Sequence, residues 1–265
     1  MTEAGEGPLR ILVTNDDGIH APGLKVLESI ARRLAEDVWV VAPETNQSGA
    51  SHSLTLSRPL RIRRVSKRHF AVDGTPTDCV LLALQRIVEG PVTLLLSGVN
   101  QGSNLGEDVT YSGTVAAAME ATVLGVPAIA ISQACRNGHP VKWRTAETHA
   151  PGILRRLWAV SWPEGVLINI NFPDRLAQSV RGVRVTRQGK HKVGDALVER
   201  IDPRGQPYYW IGALRREEEW PEGTDLAAIA SGYISITPVH LDLTHHQSLT
   251  FLRKMFQDDT ESDRH

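Results

Sequence analysis

The chain has few of the residues that would mark it as a disulfide scaffold, a zinc protein or a membrane protein. Its 265 residues include only two cysteines, Cys79 and Cys135, in unrelated segments without CxxC spacing. Neither a disulfide framework nor a zinc site is therefore expected. No stretch approaches the roughly 18 consecutive apolar residues that a membrane helix needs. The opening residues, MTEAGEGPLR, hold no apolar signal core. The expected setting is the cytoplasm, with no membrane partner. A charge excess is missing too: 29 basic residues against 30 acidic leave a formal charge of -1, which argues against a surface built to hold a nucleic-acid duplex. There is no internal repeat and no low-complexity tract. The Gly-Lys-Ser/Thr of a P-loop is absent, as is a dinucleotide glycine fingerprint after the first strand, so neither an ATPase nor a dehydrogenase is expected.

What is present is alternation. Apolar runs at 11–15, 38–42, 93–96, 128–132 and 166–170 read as buried strands. Between them, residues 24–34, 78–88, 114–124 and 145–160 carry helical periodicity, and the third of these is stopped by Gly125 and Pro127. The pattern is that of βαβ units and an α/β fold with a mostly parallel sheet. Residues 54–56 and 60–63 add further β-prone pieces. Beyond Pro173 the texture turns Arg-rich and β-prone, at 183–185 and 208–211, with an Asp202-Pro203-Arg204-Gly205 turn before the second. The expected division is therefore a catalytic core over 1–172 and a C-terminal part over 173–265. The latter comprises a β-hairpin arm, a strand returning at 233–237 and a terminal helix over 248–256, with a disordered polar tail from Gln257.

Ligands in open α/β sheets bind beyond the carboxyl ends of the parallel strands, so polar residues just after apolar runs carry the chemistry. The first strand is followed by Asn15-Asp16-Asp17-Gly18, the second by a loop with Gln47-Ser48-Gly49, and the third by Ser97-Gly98-Val99-Asn100. Two adjacent carboxylates need solvent, a basic group or a metal between them to stay ionised together. Alone, Asp-Asp-Gly reads as a solvated turn. Joined by Ser48 and Asn100 it becomes a hard-oxygen set suited to magnesium, manganese or calcium rather than zinc or copper. The Gly-rich loop 98–113 ends in Ser112-Gly113-Thr114 at a helix start, where free N–H groups and the helix dipole favour an anion. Ser112 reads equally as a helix cap. The segment Asp73-Gly74-Thr75-Pro76-Thr77-Asp78 reads either as a cap or as a lining of the site. His240, His245 and His246 cluster near the C-terminus without a spacing that assigns them a role.

The motifs ILVTNDDGIHAPG, VVAPETNQSGASHSLTL, DGTPTDCV and LLLSGVNQGSNLGEDVTYSGTVAAAMEA, followed by VLININ, DPRGQPYYWIG and GYISITPVHLDLT, resemble in this order the SurE family of stationary-phase survival proteins. The resemblance runs from about residue 10 to 256. It implies a Rossmann-like, three-layer α/β sandwich whose C-terminal arm is exchanged between subunits in a homodimer or homotetramer. It also implies one divalent metal per subunit, magnesium or manganese, on Asp16, Asp17, Ser48 and Asn100. The implied activity is 5′-nucleotidase: hydrolysis of nucleoside 5′-monophosphates, and also of 3′-monophosphates and short polyphosphate, to nucleoside and phosphate. Combined with the residues after the strands, the expected mechanism has Asp16 and Asp17 as catalytic residues acting through a metal-activated water, with Ser112, Gly113 and Thr114 seating the phosphate and Asn104 bonding it. Two rival readings fit the residues less well. An aspartyl-nucleophile phosphatase needs an Asp-x-Asp spacing that is absent. A receiver-like, metal-dependent nucleotide sensor without turnover would need a phosphoacceptor Asp after the third strand, where Ser97–Asn100 stands.

Overall fold

Along the first strand, β1 (Arg10–Thr14), side chains alternate between two separate apolar clusters, with Ile11 and Val13 in one and Leu12 in the other. A strand buried on both faces must lie inside a sheet covered on both sides. The computed structural model, which describes residues 9–136, 138–160, 163–190, 197–211 and 220–262, shows that arrangement. The elements that follow are α1 (Pro22–Arg32), β2 (Asp37–Pro43), β3 (Ile62–Ser66), β4 (His69–Val72), α2 (Pro76–Leu82), β5 (Leu94–Gln101), α3 (Gly113–Val123), β6 (Ala128–Gln133), α4 (Trp143–Trp158), β7 (Val166–Phe172), β8 (Val183–Val185), β9 (Leu197–Ile201), β10 (Pro207–Ile211), α5 (Asp225–Ala230), β11 (Ile234–His240) and α6 (His246–Ser262).

The main sheet has nine strands in the order β3-β4-β2-β1-β5-β6-β7-β11-β8. From β4 to β7 every pairing is parallel, whereas β3 and β11 each run antiparallel to the neighbours β4 and β7. Helices α1 and α4 bury Leu27, Ile30, Ala150 and Leu154 on one face. On the other face, α2 and α3 bury Cys79, Val80, Val115, Ala117 and Ala121. The result is a three-layer α/β sandwich. Alanines dominate the buried side of α3, which lets that helix sit close to β5 and β6. The reversal of strand order falls between β1 and β5, so the carboxyl ends of these strands open the crevice where such folds bind ligands.

Several elements differ from the sequence reading. The helix expected over 78–88 is α for its first part only and continues as a π-helical turn over Ala83–Ile87. Residues 54–56 form no strand. Instead the Asp78 carboxylate holds them, accepting from Thr55 N at 3.0 Å and Thr55 Oγ1 at 2.6 Å. β4 and α5 lie in stretches too short for their periodicity to stand out. The C-terminal helix begins at His246 and runs past Gln257 to Ser262, where the polar composition predicts disorder, because extending a helix costs far less than nucleating one. The expected tail beyond Ser262 lies outside the described residues. In the C-terminal part, β11 and β8 join the main sheet, while β9 and β10 form a separate antiparallel hairpin.

Candidate active site

The turn after β1 is built by its own side chains. Asn15, fully buried, donates Nδ2 to Gly18 O at 3.0 Å and accepts from Gly18 N at 3.2 Å. This closes a tight loop in which Gly18 takes a φ of +104°, a conformation open to glycine. The main chain is thereby fixed on both sides of Asp16 and Asp17. Gln47 N then donates to Asp16 O at 2.7 Å, which ties the loop after β2, and with it Ser48, to the end of β1. Ser48 is exposed, and its own N–H donates to Asn46 Oδ1 at 2.7 Å.

From the other side comes the start of α3. Thr114, wholly buried, donates its hydroxyl to Asp16 Oδ1 at 2.5 Å. A methyl group placed on Gly113 would stand only 2.8 Å from Asp16 Cβ and 3.1 Å from Asp16 Oδ2. Only glycine allows the helix terminus this close. Ser112 caps α3, its Oγ accepting from Val115 N at 3.1 Å, and its hydroxyl proton is left for another acceptor. Thr75 likewise caps α2 in a reciprocal box with Asp78, so this segment of the sequence serves as a cap.

The end of β5 completes the arrangement, since the strand expected over 93–96 continues to Gln101 and carries Asn100 within it. The register between β5 and β6 slips between Ser97 and Asn100, a bulge that re-aims the strand end. Gly98 sits there at φ +130°, and a Cβ on it would fall 2.1 Å from Ile131 O. Past the bulge, Gln101 N donates to Asp17 Oδ2 at 3.3 Å. Asn100 donates Nδ2 to Gly102 O at 3.0 Å, an orientation that leaves its carbonyl oxygen able to accept a bond or hold a cation. Asn104 donates Nδ2 to Ser132 Oγ at 2.8 Å.

The electrostatics of the aspartate pair are those of two charges wanting a cation. Burial pushes the Asp16 carboxyl up, against the Thr114 hydrogen bond that pulls it down. Burial, and then the charge of Asp16, push Asp17 up to about 6. Among the described residues no group of three or more His, Cys, Asp or Glu gathers as a soft or carboxylate-rich metal cage. Two carboxylates with a hydroxyl and an amide oxygen suit a hard cation that keeps water or substrate oxygens in its other positions. The residues present therefore fit a magnesium or manganese ion.

Comparison with known proteins gives the relationship. The model of the family described as Survival protein SurE matches residues 11–195. The chain belongs to the SurE family. Among curated SurE relatives, the 5′-nucleotidase SurE of Paramagnetospirillum magneticum is 59% identical, over 96% of this chain and 98% of its own length. The protein of the same name from Parvibaculum lavamentivorans is 58% identical, over 94% of this chain and 91% of its own. The crystal structure of the SurE protein from Aquifex aeolicus superposes with a TM-score of 0.82 at 40% identity, covering 93% of this chain and 99% of that one.

Beyond the residues read from the sequence, this SurE chain uses others at the same edge. Asn169 and Asn171 of β7 bond the Asn104 main chain. Asp225 accepts from Gly106 N at 2.9 Å and Gly189 N at 2.8 Å, anchoring the Gly-rich loop from the C-terminal side. Asn169 and Asn171 carried a signal in the sequence: two amides at a spacing of two in a strand otherwise apolar. Asp225 carried none, since its partners lie 119 and 36 residues away.

Proposed function

We propose that this protein is a divalent-metal-dependent phosphomonoesterase that hydrolyses nucleoside 5′-monophosphates to nucleoside and phosphate, and also accepts 3′-monophosphates and short polyphosphate. Support comes from the shared family and from the 5′-nucleotidase name of relatives that align over nearly the whole chain. One observation carries the reading: the N-terminus of α3 abuts the aspartate pair, with Thr114 bonded to Asp16 and Gly113 packed against it. An anion bound at the helix start would therefore lie beside Asp16.

Asp16, Asp17, Ser48 and Asn100 would hold the metal. When bound, it supplies Lewis-acid polarisation of the phosphoryl group and a lowered pKa for water. The chain's own residues do the rest. The Ser112, Gly113 and Thr114 segment offers N–H groups and the positive end of the helix dipole to the phosphate oxygens. Asn104 offers its second amide hydrogen. Thr114 holds Asp16 in one orientation, so that no reorganisation is needed as charge develops. The hairpin β9–β10 exposes Tyr209, Trp210 and Ile211, and α6 exposes Phe251 and Phe256. Apolar surface of that extent suits burial against another subunit, in a homodimer or homotetramer. The protein would work in the cytoplasm.

The test is phosphate release from nucleoside monophosphates by wild type and Asp16→Asn, with and without manganese. Loss of both turnover and manganese binding is expected. Near-normal turnover with near-normal metal affinity would sink the reading.

A further inference from the structure

β7 contributes nothing to the proposed metal set, yet it sends two side chains to the main chain of one residue of the site, Asn104. Asn171 Oδ1 accepts from Asn104 N at 2.8 Å, while its Nδ2 donates to Asn104 O at 3.1 Å. Asn169 Nδ2 donates to the same carbonyl at 2.9 Å. Both asparagines are fully buried, and the Asn104 side chain is in turn bonded to Ser132 of β6. An amide that both accepts from and donates to one residue's main chain takes the place of a neighbouring strand, fixing that residue's position and rotation. It does so where no strand continues, since the chain leaves β5 at Gln101, just before Asn104, and next forms helix.

The alternation of β7 explains why these amides face this side. Leu167 belongs to the cluster under α2 and α3, whereas Ile168, Ile170 and Phe172 belong to the opposite cluster. Asn169 and Asn171 therefore share the face of Leu167, the face on which α3 starts. Two buried amides in a core strand cost free energy unless their bonds are made. A strand built only for packing would carry apolar residues there.

We infer that Asn169 and Asn171 are positioning residues for the phosphate seat, acting through the main chain of Asn104. The inference rests on the reading of Asn104 as a phosphate-binding residue. Metal affinity should be indifferent to them, because the metal set is held by the turn after β1, by the loop after β2 and by Asn100.

The test is a double-mutant cycle in the manganese-loaded enzyme, reading KM for a nucleoside monophosphate, inhibition by inorganic phosphate, and manganese affinity. Asn104→Ala and Asn171→Ala should each weaken substrate and phosphate by about tenfold, as expected for the loss of buried hydrogen bonds. The double variant should be no worse than Asn104→Ala alone, and manganese affinity should be unchanged throughout. Asn171→Asp, which keeps the volume and the acceptor, replaces the alanine variant if truncation prevents folding, and should show the same non-additivity. Ile153→Val, in the opposite cluster, should lower the melting temperature without moving KM. If Asn104→Ala impairs phosphate affinity but the Asn171 variants do not, or if the effects add, the positioning role is overturned. If Asn104→Ala itself leaves phosphate affinity intact, the phosphate reading of Asn104 fails and takes the inference with it.

Discussion

Replacing Asp17 with asparagine should stabilise the metal-stripped protein near neutral pH. Burial and the neighbouring Asp16 charge raise the Asp17 pKa from 3.8 to about 6. Between those values the folded state holds a proton that the unfolded state has released, so stability falls as pH rises through that window. Below about pH 4 both states are protonated and the penalty vanishes; above about pH 6 it is complete. A shift of about two units at about 1.36 kcal/mol each sets an upper bound of about 3 kcal/mol. Asp17 is partly exposed, and solvent screening lowers that to about 1–2 kcal/mol. In a chain of this size, that is about 2–8 °C in melting temperature. Thermal unfolding in chelator from about pH 4 to about pH 7.5 reads it, followed by addition of manganese. The asparagine side chain lacks the charge but keeps the shape. The variant should therefore melt above wild type at the upper pH, match it at the lower, and lose most of the rise that manganese gives wild type. A variant that melts at or below wild type in chelator at the upper pH would refute the reasoning, as would an undiminished rise with manganese.

Two further substitutions probe the contact between α3 and the aspartates. Gly113→Ala places a methyl 2.8 Å from Asp16 Cβ, so it should cost about 1–3 kcal/mol of stability and most of the turnover; chemical denaturation with a phosphate-release assay checks both. Thr114→Val removes the hydroxyl that donates to Asp16 at 2.5 Å and should lower turnover by about tenfold or more, while Thr114→Ser, which keeps it, should retain most activity.

The βαβ rhythm was legible because both periodicities are local: a strand covered on two faces is an apolar run, and a covering helix repeats its apolar residues every three or four positions. The same route places Asp16 and Asp17 after β1 and Ser48 in the loop after β2, whereas Asn100, expected beyond the third strand, lies within β5. One of the differences has a tertiary cause and another a local one. Residues 54–56 look β-prone, yet Asp78 claims their backbone from 23 residues away. The helix expected from 78 starts at Pro76 because Thr75 and Asp78 close a capping box.

The aspartate pair itself shows where the two kinds of information divide. The order of the residues alone determined that two carboxylates follow the first buried strand and that a glycine-rich loop precedes a helix, because these depend on neighbours in the chain. Only the tertiary structure decided that Gly113 and Thr114 touch Asp16 from 98 positions away in the case of Thr114. It alone decided that Asn169 and Asn171 hold Asn104 across 65 and 67 positions. Contacts of that span arise from strand order and from the register of β1, β5, β6 and β7. Neither is written in any local window, because the sheet is assembled by burying all of its faces at once.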